Sequence, residues 1–522
     1  MNFKKLPALV STALAATLLL SACGDGNGSQ NSQGPAGDGT LTVAIATTPI
    51  SLDPTKAATG APNRWFQDPA YESMINVDSS GKLIPGLANK WGYEGNDNTV
   101  FKATLREGLK FADGSPLGAK EAVAYLEYMR DEGAGPTVAN FKALEFSTEG
   151  ELTLVMKSSK PNPMMDWLLT PNFYGGSLVS PAGLKDPSQL AGKTFGAGEY
   201  KLDESQTVAG DHYVYVKNEN FFDPESVEYE KITVRIMPNA TQQVQALKTG
   251  QIDAIYADPT VAGTANAANI EEIHRPNLWR GVYLLDRDGT KVPALKNVKV
   301  RQALNHAVNR EGIAKAAYGK YGSANVQPTL PGTETYGFDE ELRSYYPYDP
   351  AKAKSLLAEA GYTDGFTMPL LYQAFNGADT KMVQAIAAQL AEVGVTVELK
   401  PTSNFGEWVG EITSLQYATT VLGAGGPLFF TAQFGFLPKG VLNPFNVSDT
   451  KVNEAFAALS SISAAEMGPA AKTLNRVLVE EAIAMPIAQV DAIFMYDKDS
   501  VGGLDFVGES GELMPITTWT QK

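Results

Sequence analysis

MVQAIAAQLAEVGVTVEL, Met382 to Leu399, holds the joint that decides the fold class. Met382, Ile386, Leu390 and Val393 recur at helical spacing and form one apolar stripe. Gly394 stops the helix, and Val395-Thr-Val-Glu-Leu399 opens at once as a β-branched strand. Thr241 to Thr249, Gly250 and Ile252-Asp-Ala-Ile255 repeat the device. Helix–glycine–strand joints of this kind predict an α/β architecture with helices covering the sheet faces. Other segments agree. Thr40–Ala46 and Thr99–Leu105 read as strands, as do Leu152–Met156, Tyr213–Val216 and Ile232–Ile236. Asp349-Pro350 reads as an N-cap with proline at the first helical position, followed by the stripe Ala353, Leu356, Leu357 and Ala360 and a stop at Gly361. Val300, Ala303, Leu304, Ala307 and Val308 form a further stripe.

The chain has 522 residues, too many for one core, so two or three packed lobes are expected. Lys4 and Lys5 precede an apolar run to Leu20 that is too short to span a bilayer. Ser21-Ala22-Cys23 closes it with small residues. Residues 1–22 read as an export signal. Leu20 to Cys23, LSAC, resembles the bacterial lipobox, which implies acylation of Cys23. Cys23 is the single cysteine, so neither an intrachain disulfide nor a cysteine-based metal site can form. Residues 23–39 read as the acylated cysteine and a flexible leash, Gly24 to Gly39, with a reach of about 22 Å. Without residues 1–22 the chain carries 40 basic side chains against 58 acidic, a net charge of −18. Such a surface repels phosphate backbones and argues against nucleic acid.

Catalytic motifs are absent. His212, His274 and His306 are far apart and lack metal-ligand spacing, so no metal site is expected. Ser79-Ser-Gly-Lys82 fits a turn better than a nucleophile pair, and Gly423-Ala-Gly-Gly426 lacks the lysine of a phosphate loop. Asp286-Arg-Asp288-Gly289 lacks the glutamate that would complete a calcium loop. Aromatic clusters in loop-like sequence stand out instead: Trp65-Phe66, Phe173-Tyr174, Phe405 with Trp408, and Phe429-Phe430. Core packing is their ordinary use, but a cleft between lobes also needs apolar walls with a few polar groups.

Four ordered segments identify a family. YESMINVDSSGKLIPGLANKWGYEGNDNTVFKATLREGLKFADGSPLGAKEAVAYLEYM (Tyr71 to Met129) closely resembles the entry region of peptide- and nickel-type solute-binding proteins of ABC importers. NENFFDPESVEYEKITVRIMPNATQQVQALKTGQIDA (Asn218 to Ala254) resembles their return segment. VKVRQALNHAVNREGIAKAAYGKYG (Val298 to Gly322) and YDPAKAKSLLAEAGYTDG (Tyr348 to Gly365) resemble their second lobe. The resemblance implies a two-lobed periplasmic-binding-protein-like fold of type II, in its large form with an extra subdomain and a ligand cleft between lobes. Residues 40–280 and 488–522 would form a discontinuous first lobe and residues 281–487 the second, hinged near Arg280 and Met485-Pro486. It further implies an extracytoplasmic monomer without cofactor or enzymatic activity. This monomer would be lipid-anchored at the outer face of the cell membrane or in the periplasm, and would capture oligopeptides or dipeptides for a membrane permease and its ATPase.

Tyr372, Asn376, Asn404, Phe405, Trp408, Gly425 and Phe429 are expected to line the cleft from the second lobe, with Trp65 and Phe66 facing them. In this reading the aromatics stack, the asparagines fix polar groups and Gly425 lets backbone approach the ligand. The chain departs from the family in two places. Gly196-Ala-Gly-Glu-Tyr200 stands where GTGPY is common. Val421 to Phe430 has neither the tryptophan nor the aspartate that pairs with a peptide's ammonium group. An oligosaccharide, an opine or a chelated metal therefore stays open as ligand, as do an exported hydrolase and a purely adhesive lipoprotein.

Overall fold

Thr40–Ile45 forms β1, with Leu41, Val43, Ala44 and Ile45 buried. The computed structural model describes residues 39–57, 60, 62–134, 137–264, 267–374, 376–463, 466–508 and 510–522, and all of Phe405 except its side chain. The signal segment, Cys23 and the leash to residue 38 lie outside the described residues.

One large sheet organises the chain. Its further strands are β2 (Tyr200–Leu202), β3 (His212–Lys217), β4 (Lys231–Ile236), β5 (Ala254–Tyr256) and β6 (Ile270–Leu284). β7 (Gly322–Ala324), β8 (Phe366–Gln373), β9 (Val395–Thr402), β10 (Thr419–Ala424) and β11 (Ala484–Asp497) complete it. The spatial order is β9-β8-β10-β6-β11-β5-β1-β4-β3-β2, with β7 beside β11. β1, β4 and β5 run parallel, as do β8, β9 and β10. Two parallel groups thus flank the antiparallel pair β6–β11.

That pair is the frame of the molecule. β6 has 15 residues and β11 has 14, long enough to belong to both halves. The half at Ile270–Pro276 and Asp491–Asp497 adjoins β5, and the half at Trp279–Leu284 and Ala484–Gln489 adjoins β10. One register shift falls between them, at Pro276/Leu278, and a second lies just inside the latter half, at Arg280/Gly281 opposite Ala488 and Pro486. Each shift bends and twists a strand locally. Gly281 is required there, because a Cβ would sit 2.4 Å from the Met485 carbonyl oxygen.

Helices cover the sheet as the apolar stripes predict. Val298–His306, Arg310–Tyr318, Pro350–Glu359 and Gly377–Ala391 bury Val300, Leu304, Ile313, Leu357, Met382, Ile386 and Leu390 in one core against β8 and β9. Each large aliphatic side chain contributes about 1.5–3 kcal/mol by leaving water. Ala240–Lys248 packs Val244 and Leu247 against β5 and β11. The expected subdomain is a four-stranded antiparallel sheet, Ala88–Glu94, Val100–Leu105, Thr153–Ser158 and Leu144–Glu149 in spatial order. Helix Ala119–Glu132 lays Ala122, Tyr125, Leu126 and Met129 into the adjoining core. That largest core runs from β1 through Trp279 and Tyr283 to Phe429, Phe436 and Leu474, so the halves touch through apolar side chains. Among the described residues no helix is long and apolar enough to cross a membrane.

Candidate ligand site

In open α/β sheets, ligands sit outside the carboxyl ends of parallel strands. Here those ends come in two sets. Ile45, Ile236 and Tyr256 end one group, and Gln373, Thr402 and Ala424 end the other.

Asparagine caps a helix after β4, after β8 and after β9. Asn239 Oδ1 accepts from Gln242 N at 3.0 Å. Asn376 Oδ1 accepts from Ala378 N and Asp379 N, and Asn404 Oδ1 accepts from Glu407 N at 2.9 Å. Glu407 in turn accepts from Ser403 N at 2.7 Å and Ser403 Oγ at 2.6 Å, which ties the residue before the cap to the first turn. The side-chain oxygens expected to hold ligand at Asn376 and Asn404 are therefore spent on helix ends. Asn404 Nδ2 also donates to Ser403 Oγ at 3.3 Å.

The structure spends the predicted aromatics on packing. Trp65 and Phe66 lie in the largest core rather than on an open wall. Trp65 meets Trp519 edge-on at 5.8 Å, and Phe66 meets Tyr213 at 5.2 Å. Tyr372 is buried among the helices behind β8. Trp408 is buried, with Nε1 donating to Thr420 Oγ1 at 3.0 Å. Phe429 stacks on Phe456 at 5.1 Å. The side chain of Phe405 lies outside the described residues. Gly425 has a structural reason different from the expected one: a Cβ there would stand 2.2 Å from the Asn277 carbonyl oxygen, so the glycine lets the end of β10 cross the kink of β6.

What the fold does bring together are two other aromatic groups. Phe173 meets Phe430 with ring centroids 4.3 Å apart, joining segments 257 positions apart in sequence. The histidines stay separate. His212 contacts Asp211, His274 contacts Asp491 across β6–β11, and His306 contacts the Pro347 carbonyl. Among the described residues no group of three or more histidine, cysteine or acidic side chains could hold a metal ion.

Two buried charge clusters flank the kink. Arg280 Nε and Nη2 donate to the two oxygens of Asp379 at 3.1 and 2.5 Å. Asp379 lies in the first turn of the helix that Asn376 caps. Burial pulls the Arg280 guanidinium down, but Asp379 and Tyr318 outweigh it and hold it above its ordinary range. In the second cluster Arg64 Nε donates to Asp68 at 3.1 Å. Arg64 Nη1 donates to Asn172 at 2.8 Å and to Glu512 Oε1 at 3.1 Å, and Asn172 donates to Glu512 Oε2 at 2.7 Å. Burial raises both carboxyls above the usual range, and Arg64 opposes the rise without cancelling it. Sequence reading missed this cluster, whose members span 448 positions. The only local sign was Arg64 and Asp68 at helical spacing.

A surface depression of about 500 Å³, lined by Leu357, Tyr362 and Glu392 among others, lies at the far end of helix Gly377–Ala391 from Asn376. It takes no part in this region.

Residues 82–438 match the model for bacterial extracellular solute-binding proteins, family 5 middle. A Sinorhizobium fredii protein named a probable peptide ABC transporter periplasmic-binding protein is 27% identical over 418 residues, 75% of each chain. The nickel-binding periplasmic protein of Escherichia coli is 28% identical over 410 residues, 73% of each chain. Among solved structures, the Agrobacterium tumefaciens binding protein AgaA with agropinic acid superposes with a TM-score of 0.78 at 20% identity, covering 92% of this chain and 99% of that one. The Pseudoalteromonas dipeptide-binding protein with Met-Leu gives 0.76 at 20% identity, covering 92% and 100%. These likenesses show a two-lobed periplasmic-binding-protein fold.

Proposed function

The chain belongs to the bacterial extracellular solute-binding proteins of family 5, and from that membership we propose that it captures oligopeptides or dipeptides outside the cytoplasm and delivers them to an ABC importer. The observation that carries this reading is the kinked β6–β11 ladder, which sets two groups of parallel strand ends on either side of one bend. Residues 40–280 with 488–522 form one lobe, residues 281–487 form the other, and the register shifts serve as the hinge. Ligand biases closure only through its higher affinity for the closed form. The loops after Gln373, Thr402 and Ala424, with Asn376 and Asn404, face the guest. Trp65, Phe66, Tyr372, Trp408, Gly425 and Phe429 support that wall from behind. The relatives named for peptides favour a peptide cargo, and the relative bound to agropinic acid keeps an opine as the second reading.

Cys23 carries the lipid that tethers a monomeric body to the membrane, and the protein performs no catalysis. Thermal-shift screening of residues 24–522 against peptides, opines, sugars and metal chelates tests the binding reading. At one hundred times its dissociation constant the true ligand adds about 2.7 kcal/mol, a rise of a couple of degrees for a chain of this size. Silence across the whole panel refutes it. Cys23→Ala tests the tether: the variant leaves the membrane fraction, and retention there refutes lipidation.

A further inference from the structure

The family's usual counter-charge for an amino terminus is missing between Val421 and Phe430, and the second charge cluster supplies one from the other side of the kink. We propose that Glu512, held by Arg64 and Asn172, is the ligand-contacting carboxylate that recognises an ammonium group on the solute. The proposal rests on the binding reading above and names its specificity.

Position comes first. Glu512 follows Gly511, whose N–H donates to the Pro276 carbonyl at 2.6 Å, at the first register shift of β6. A Cβ on Gly511 would lie 2.6 Å from the Asn277 Cβ, and the carbonyl oxygen of Asn277 is the atom that the Gly425 position closely approaches. Glu512 therefore stands beside the segment that lacks the expected aspartate. Tyr336 reaches this point from residues assigned to the other lobe, near enough for Glu512 and Ser510 to act on its hydroxyl.

Charge comes second. One guanidinium meets two carboxylates, Asp68 and Glu512, which leaves a surplus negative charge. Glu72 and Glu199 lie in the same neighbourhood, where burial favours their protonated, uncharged forms. The two carboxylates differ in access. The Asp68 side chain is 7% exposed and that of Glu512 is 21%, so Glu512 is the one a solute can reach. Each Glu512 oxygen accepts one of these hydrogen bonds, and an ionised carboxylate has room for about four.

A third observation completes the chemistry. Arg64 is 3% exposed, and its Nη2 is buried without a hydrogen-bond partner. An unpaired donor beside an under-filled acceptor fits a group that carries an ammonium next to a carbonyl oxygen. An amino-terminal residue has that chemistry: its ammonium on Glu512, its first carbonyl on Arg64.

The test uses residues 24–522 and calorimetric titration with dialanine, trialanine and a mixed tripeptide pool, each free and N-acetylated, beside putrescine and maltotriose. Free peptides bind at least about thirtyfold more tightly than their acetylated forms. Glu512→Gln reduces free-peptide affinity by a similar factor and leaves acetylated peptides within about threefold. Putrescine as the best ligand keeps the carboxylate's role but overturns the carbonyl contact of Arg64. Equal affinity for free and acetylated peptides overturns the proposal, as does unchanged binding by Glu512→Gln. Binding of maltotriose alone overturns it while leaving the solute-binding reading intact, and no binding by any probe counts against both. Should Glu512→Gln fail to fold, the acetylation comparison on the unaltered protein decides.

Discussion

Asp379→Asn isolates the ion pair at the kink. Asp379 is fully buried, and the Arg280 side chain is 12% exposed. Asparagine keeps the shape and one acceptor oxygen but removes the charge that Arg280 was folded against. A buried pair broken from one side costs about 3–5 kcal/mol, because the remaining ion cannot regain its hydration. Unfolding entropy for a body of this size is about 1 kcal/mol per degree, so the melting temperature falls by about 3–5 °C. The double substitution Arg280→Met with Asp379→Leu removes both charges and fills the space with apolar atoms. It returns to within about 1 kcal/mol of the parent, which gives a coupling energy of at least about 2 kcal/mol. Scanning calorimetry of ligand-free protein at neutral pH measures the parent, Arg280→Met, Asp379→Leu and the double variant, the four members of the cycle, with Asp379→Asn beside them. If Asp379→Asn melts within one degree of the parent, or if the double variant loses the sum of the single losses, the two charges do not stabilise each other as the geometry requires.

Three further outcomes follow from the geometry. If the Phe173–Phe430 ring pair helps hold the two lobes together, Phe173→Leu removes about 0.5–1.5 kcal/mol and shifts the open–closed balance about two- to twelvefold; X-ray scattering then shows a larger radius of gyration, and superimposable curves refute that role. Gly425→Ala forces a Cβ to 2.2 Å from Asn277 O and lowers the melting temperature by at least two degrees, whereas Gly410→Ala, with open space around it on helix Phe405–Thr413, leaves it equal or raises it. Burial pushes the Glu72 carboxyl up to about 7 despite the hydrogen bond from Asn76. The folded state then holds its proton more tightly than the unfolded one, so stability falls as pH rises from about 4.5 to about 7. Glu72→Gln is accordingly more stable than the parent at pH 8, by on the order of 3 kcal/mol, and equal to it at pH 4. Parallel melting curves across that range refute this.

Local order was legible where short-range chemistry decides it. The Asp349-Pro350 start gives helix Pro350–Glu359, with Asp349 accepting from Lys352 N at 2.8 Å. The joint at Gly394 is a helix ending at Ala391 and a strand starting at Val395. The strand after Gly250 begins at Ala254, two residues later than its apolar run suggests, because Asp253 turns its carboxylate to Thr42 N. β6 was not legible as one strand, since Pro276 interrupts its pattern and the register shift absorbs the proline. The aromatic clusters carried no sign of which ring would be core. That depends on partners such as Trp519 and Phe456, far along the chain. Glu512 was invisible for the same reason: its meaning comes from Arg64, and nothing near either residue announces the other.

The last forty residues also bear on how this molecule is made. β11 is the strand between β6 and β5, and Trp519 closes on Trp65. A growing polypeptide emerging from the ribosome can build its subdomain and its helices, yet the central sheet lacks its keystone until the carboxyl end has appeared. The sheet can therefore close only late, once β11 is available to join β5 and β6.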